Sequence, residues 1–253
     1  MILSVILCDF LKEELRMNIA VIFAGGTGQR MNTKTRPKQF LELHGKPIII
    51  YTLEKFENHS DIDFIIVVCL ESWIPFLQKM IKRFSIEKVV DIVPGGNSGQ
   101  ESIKNGIDCA WNRFPGDSTV LIHDGVRPLI DDNTISACLD SVAQYGNAIT
   151  VVPAIETVIQ ESDGVIRNII DRKTCQMAKA PQCFLLKDLR EAHLRACRDN
   201  LEDFIDSASL MSHYGHILHV VEGSPDNIKI TTPSDFYVFR AYVDVAENSQ
   251  IFG

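Results

Sequence analysis

Ile19-Ala20-Val21-Ile22-Phe23-Ala24-Gly25-Gly26-Thr27-Gly28-Gln29-Arg30-Met31 is the stretch on which the fold turns. Its apolar opening, Ile19–Phe23, is rich in β-branched residues, too short for a helix and stopped by glycine, which predicts a buried strand feeding a glycine-rich turn. Working outward, similar runs recur at Phe64–Cys69, Val89–Val93, Val120–His123 and Ile149–Val152, each bounded by Gly, Pro or Asp. Between them the spacing turns helical, as in Ile49, Leu53 and Phe56, or Trp73, Phe76, Leu77 and Met80. Strands alternating with amphipathic helices predict an α/β fold: a mostly parallel, twisted sheet with helices on both faces.

The pattern loosens after Pro153. Thr157 to Arg172 reads as two short strands around the turn signature Ser162-Asp163-Gly164, and so as a β-arm projecting from the main sheet. A helix is expected at Leu186–Cys197 and a last strand at His219–Val221. Thr232-Pro233-Ser234-Asp235 opens a final helix, with proline at its first position. No internal repeat or linker interrupts the chain. The economical reading is one domain over 17–253 with an arm at about 153–176, preceded by an extension over 1–16 that lacks the basic start and cleavage site of a signal peptide.

Composition narrows the classes. The 253 residues are 45% hydrophobic and 23% charged, as in ordinary globular proteins. With 25 basic and 33 acidic side chains the net charge is −8, so the overall field repels nucleic acid and anionic membranes, and neither is expected as a partner. An anionic substrate must then be held by a local cluster of cations. Seven cysteines with no C-x-x-C pair point to reduced thiols in a cytoplasmic protein. No run approaches the length of a membrane span. His213 and His216 are three apart but have no third ligand type beside them, so no metal site is expected there.

A glycine-rich turn after a first strand leaves backbone N–H groups facing the carboxyl end of the sheet, where phosphate oxygens bind, and Arg30 adds charge. Taken alone, the turn can also be read as a structural loop. Two common phosphate motifs fail on spacing: Met31 leaves the dinucleotide G-x-G-x-x-G incomplete, and no Gly-Lys-Ser/Thr follows for a P-loop. Lys38 then stands inside Arg36-Pro37-Lys38-Gln39-Phe40-Leu41, followed by Gly45-Lys46-Pro47.

That whole string resembles the signature of the family of 2-C-methyl-D-erythritol 4-phosphate and ribitol-5-phosphate cytidylyltransferases, which have a Rossmann-like nucleotidyltransferase fold. Further matches follow in order: Pro94-Gly95-Gly96 with Ser102, His123-Asp124-Gly125-Val126-Arg127-Pro128, Pro153-Ala154-Ile155-Glu156-Thr157, Asp171-Arg172, Ala180-Pro181-Gln182, Asp206-Ser207-Ala208-Ser209 and Asn227-Ile228-Lys229. The resemblance implies a cytidylyltransferase that joins CTP to a small alditol phosphate and releases pyrophosphate.

By the same resemblance, Ala24, Gly25, Gly26, Thr27 and Gly28 with Arg30 hold the CTP phosphates, and Gly96, Asn97 and Ser102 lie at cytosine. Arg30, Lys38 and Lys229 are the catalytic cations. Asp124 lies by the nucleotide sugar and metal region, as a direct ligand of Mg²⁺ or as a ribose contact; Asp226 is a second carboxylate candidate, equally readable as a loop residue. Thr157 and Arg172 match positions that bind the polyol phosphate across a dimer interface, so a homodimer through the β-arm is implied. Arg127 either grips the acceptor phosphate or ties down its own loop through a carboxylate.

The chemistry explains the cations. Attack of a phosphate monoester on the α-phosphorus of CTP crowds negative charge onto one centre, and each preorganised donor is worth roughly 3–4 kcal/mol there. Mg²⁺ would bridge triphosphate oxygens. Phe23-Ala24-Gly25-Gly26 and His123-Asp124-Gly125-Val126 lean toward the ribitol branch, whereas family threonines near the acceptor correspond here to Ala180 and Ile205. D-ribitol 5-phosphate is the favoured acceptor and 2-C-methyl-D-erythritol 4-phosphate the alternative. A catalytically silent nucleotide-binding protein is the rival of another class.

Overall fold

The computed structural model describes residues 16–26, 36–201 and 203–252. Thr27, Gly28 and Arg30 therefore lie outside the described residues, as does nearly all of the 1–16 extension.

Five of the strands read from sequence form as β1 (Asn18–Ala24), β4 (Phe64–Cys69), β5 (Val89–Pro94), β6 (Thr119–Asp124) and β7 (Asn147–Pro153). They join β10 (Gln176–Leu185) and β11 (Val220–Glu222) in a seven-stranded sheet of order β11-β7-β10-β6-β1-β4-β5. β5, β4, β1 and β6 run parallel, β10 is antiparallel to β6 and β7, and β11 is parallel to β7. The antiparallel β10 was not expected. Pro181 and its polar neighbours Lys179 and Gln182 break any strand pattern, and the ladder to β7 shifts register between Ala178 and Gln182 to accommodate the proline.

Side chains alternate across a strand, so each buried strand feeds two cores. Ala20, Ile22, Ile65 and Val67 face one side with Ile49, Leu53 and Phe56 of α1 (Ile48–Asn58). Leu77 and Met80 of α2 (Ile74–Arg83) and Ile135, Cys138 and Val142 of α4 (Asp132–Tyr145) complete that layer. Ile19, Val21, Ile66 and Val68 face the other side, against Ile103 and Ile107 of α3 (Gly99–Arg113), Leu189 of α5 (Leu186–Asp199) and Leu210 of α6 (Ser207–His213). Gly106 lets α3 lie close on the sheet, because a Cβ there would fall 2.6 Å from Val21 and 2.8 Å from Val68.

The expected final helix is α7 (Pro233–Phe252). Its start is fixed by Asp235, whose Oδ2 accepts from the backbone N–H groups of Thr231 and Thr232 at 2.8 and 2.7 Å. Phe239 packs with Ile48, Val126 and Ile230 in a third small core, which anchors the segment just after Lys229. Two short strands, β2 (Glu42–Leu43) and β3 (Lys46–Pro47), pair through His44 and Gly45, both at positive φ. The arm forms as β8 (Val158–Ser162) and β9 (Val165–Ile170), a separate antiparallel pair turned by Asp163 and Gly164 at positive φ.

Candidate active site

Strand order reverses at β1: the chain goes on to β4 and β5 on one side and later returns to β6 on the other. Open α/β sheets bind ligands at the carboxyl ends of strands beside such a switch point. Ala24 and Asp124 end the two strands concerned, and Asp124 is paired in register with Phe23.

The described half of the glycine turn is held from two sides. Gln39, 1% exposed, donates through Nε2 to the carbonyls of Ala24 at 2.6 Å and Gly26 at 3.1 Å. Lys38 opens the 3-10 turn Lys38–Phe40 that carries this glutamine, so the segment bearing the first catalytic candidate is fastened to the phosphate-binding candidate. On the other side, Gly25 and Gly95 close around the Ser102 hydroxyl, which a Cβ on either would approach to 3.1 or 3.2 Å. That hydroxyl accepts from Gly96 N–H at 3.0 Å and donates to the Ser98 carbonyl at 2.8 Å. The Asn97 N–H donates to Glu101 at 2.7 Å, and the Asn97 side chain is left exposed. Ser102 thus shapes the loop that carries Gly96 and Asn97.

Asp124, 5% exposed, accepts from Lys229 Nζ at 2.6 Å on one oxygen and from Arg127 Nε at 2.8 Å on the other. Burial alone would raise its pKa, but Lys229 and Arg127 outweigh that and hold the carboxyl below its ordinary value. It is an anion between two cations. Lys229 Nζ also stands 5.9 Å from the Phe23 ring, so Lys229 and the Lys38-bearing turn both meet the same few residues, Phe23 to Gly26.

Arg127 donates further, through Nη1, to the Asn227 carbonyl at 2.9 Å, and its side chain is 11% exposed. These two bonds tie its own loop down, through a carboxylate and a carbonyl. Asn227, fully buried, donates to the Ala180 carbonyl at 2.7 Å, and Ile230 N–H bonds the Val126 carbonyl at 2.9 Å. These links hold the irregular segment around Lys229 to β6 and β10.

A cavity of about 320 Å³ opens here, with Asp124, Arg127, Lys179 and Lys229 in its polar lining and Phe23, Ile103, Ile122 and Leu210 in its apolar lining. Its lining also includes Asp206, but both carboxylate oxygens of that residue are taken, by Gln182 Nε2 at 2.8 Å and Ser209 N–H at 2.8 Å. Asp124 likewise has both oxygens engaged, but of the two it is the one that ends β6 beside Phe23 and the glycine turn, and a carboxylate oxygen keeps a second lone pair for a divalent ion while Lys229 stays bound. One carboxylate beside a triphosphate suits Mg²⁺, which keeps waters and phosphate oxygens as its other ligands. Asp226 does not line the cavity; its Oδ1 accepts from Tyr242 Oη at 2.6 Å. Thr157 and Arg172 stay outside it too, both exposed on the arm, with Arg172 Nη1 on the Ile155 carbonyl at 2.7 Å.

Gln39, Lys179 and Asn227 are residues of this site that sequence reading did not single out. Gln39 and Asn227 stood inside the recognised strings, but nothing in their type marks a buried side chain that fastens a loop. Lys179 had no signal beyond its position next to Ala180-Pro181-Gln182.

A glycine turn at the switch point, a cation-rich cavity and one buried carboxylate define a nucleotide-handling α/β enzyme. The profile of the family described as IspD, 2-C-methyl-D-erythritol 4-phosphate cytidylyltransferase, matches residues 18–245. The ribitol-5-phosphate cytidylyltransferase of Vibrio parahaemolyticus is 50% identical over 238 residues, 94% of this chain and 100% of that one. That of Streptococcus agalactiae is 48% identical over 94% of this chain and 99% of its own. Among solved structures, the 2-C-methyl-D-erythritol 4-phosphate cytidylyltransferase of Francisella tularensis superposes with a TM-score of 0.74 at 28% identity, over 87% of this chain and 97% of that one. The chain belongs to this cytidylyltransferase family and is a nucleotidyltransferase enzyme.

Proposed function

We propose that this enzyme transfers the cytidylyl group of CTP to D-ribitol 5-phosphate, giving CDP-ribitol and pyrophosphate. A phosphate oxygen of the acceptor forms the new bond to the α-phosphorus, and the bond from that phosphorus to the bridging oxygen of the leaving pyrophosphate breaks. The acceptor is already an anion near neutral pH, so the protein has little proton transfer to perform and much charge to neutralise. One observation carries the reading: Lys229, fixed at 2.6 Å from buried Asp124, stands at the end of β1 beside the glycine turn. Asp124 orients the ammonium before substrate arrives, which removes that reorganisation from the reaction step.

Arg30, Lys38 and Lys229 take the catalytic part, and the glycine turn receives the triphosphate. Gly96, Asn97 and Ser102 form the base end. Asp124 would hold Mg²⁺, which when bound neutralises triphosphate oxygens. The 48–50% identity to enzymes named for ribitol 5-phosphate supports that acceptor over the methylerythritol phosphate of the 28% identical structure. Pyrophosphate release is to be measured with CTP or UTP against each acceptor. Turnover with CTP and D-ribitol 5-phosphate is expected, and a clear preference for 2-C-methyl-D-erythritol 4-phosphate would reverse the choice.

A homodimer through the arm belongs to the same proposal. Ile155, Val165, Ile166, Ile169 and Met177 are each more than half exposed, at 78, 51, 55, 64 and 57%. Exposed apolar side chains clustered on and beside a two-stranded arm favour burial against a second copy, which would also carry Thr157 and Arg172 toward the partner's site. Sedimentation equilibrium should give twice the chain mass, and I166D a monomer. We place the reaction in the cytoplasm, where CTP is made, with the product feeding cell-surface polymers. Among the described residues, no helix is long and apolar enough to cross a membrane.

A further inference from the structure

Three cations line the cavity, Arg127, Lys179 and Lys229, and two of them share one counter-ion, Asp124. Arg127 is committed through Nε to Asp124 and through Nη1 to the Asn227 carbonyl. Lys179 is differently placed. Its Nζ donates to the carbonyls of Pro225 at 2.8 Å, Asn227 at 3.3 Å and Ser224 at 3.5 Å. All three acceptors are neutral and two of the contacts are long, so dipoles orient the ammonium, and among the described residues no carboxylate pairs with it.

Its surroundings confirm the imbalance. Burial lowers the Lys179 pKa, and the neighbouring Arg127 charge lowers it further. Asp226 opposes this without pairing with Lys179, its Oδ1 accepting from Tyr242 Oη. Counting the charged groups that line the cavity, Arg127, Lys179 and Lys229 against Asp124 and Asp206 leave one positive charge in excess. A phosphate monoester carries about −1.5 to −2 near pH 7, so an excess of this sign favours it over a neutral ligand.

We propose that Lys179 is an acceptor-binding residue, whose ammonium exchanges its two long carbonyl contacts for oxygens of the phosphate monoester on the incoming alditol phosphate. The assignment rests on the functional reading above and adds to it a residue that fixes the phosphate end of the acceptor. Lys229 keeps its place by Asp124 for the reacting phosphorus. Lys179 then selects substrates that bring an anionic group at that distance, and an unphosphorylated alditol lacks what it recognises.

The test separates charge from loop-holding. K179Q keeps an N–H donor for the carbonyls but has no charge, while K179R keeps the charge. With D-ribitol 5-phosphate as acceptor, K179Q should raise its KM by about 10- to 100-fold, with KM for CTP within about twofold, and K179R should restore most of the loss. K179M is the second neutral variant, and thermal midpoints near that of the unsubstituted enzyme certify folding. An unchanged acceptor KM in K179Q, or a fall confined to kcat, would overturn the proposal. Failure of both neutral variants to fold would do the same, since the residue would then be holding the fold. The functional reading is judged separately: if the unsubstituted enzyme releases no pyrophosphate with any alditol phosphate, that reading fails first and Lys179 loses its ligand with it.

Discussion

Asp124→Asn replaces a buried anion by a neutral amide of the same shape. The side chains of Asp124 and Arg127 are 7% and 11% exposed, so the guanidinium would be left almost buried with no compensating charge. Removing one partner of such a pair costs roughly 3–5 kcal/mol. Lys229 adds little, because its side chain is 39% exposed and solvent screens it. At a slope of about 3 kcal/mol per molar, the urea midpoint should fall by about 1–2 M. The double variant D124N/R127M should be closer to the unsubstituted protein than D124N alone, since it removes the orphaned charge as well. The sign with pH follows from the depressed carboxyl: its contribution is present above the unfolded-state pKa and is lost as pH falls through the folded one. The two proteins should therefore converge in strong acid. An unchanged urea midpoint in D124N at pH 7, or strictly additive single and double variants, would refute the pairing as the organiser of this site.

Burial pushes His123 and His193 down to about 4, so between pH 6.5 and 4 the unfolded chain binds protons that the folded chain does not. Stability should drop across that window by up to about 3 kcal/mol per histidine, seen as a falling thermal midpoint, and H193L should flatten the drop. Gln39→Leu keeps the volume but removes both bonds to the glycine turn; a loss of about 1–2 kcal/mol in unfolding and weaker CTP binding by calorimetry are expected. Gly106→Ala puts a methyl against Val21 and Val68, at a cost of about 1–3 kcal/mol by urea unfolding, with activity per folded molecule retained.

Much of this protein was legible from its residue order. The β-branched runs became the buried strands because a parallel strand covered on both faces must be apolar throughout. The arm was marked by Ser162-Asp163-Gly164, and the last helix by Thr232 and Asp235, which cap it as their spacing suggests. β10 was hidden because its centre carries Lys179, Pro181 and Gln182, polar or donor-less residues tolerated there by a register shift and by the cavity that Lys179 and Gln182 line. α6 was hidden because a helix of seven residues is too short to display a period. The proposed roles of Lys38 and Lys229 came from strings of residues, whereas Gln39 and Lys179 gave no such sign.

Sequence by itself determined the alternation of strands and helices, the glycine turn, and which lysines and arginines a phosphate chemistry could use, since these depend on local order and residue type. Only the folded chain decided their partners. Arg127 went to Asp124 and Asn227, Asp226 to Tyr242, and Lys179 to three carbonyls of a loop more than forty residues away. The charge left over at a site is the sum of contacts between segments distant in the chain, and no local pattern encodes that sum.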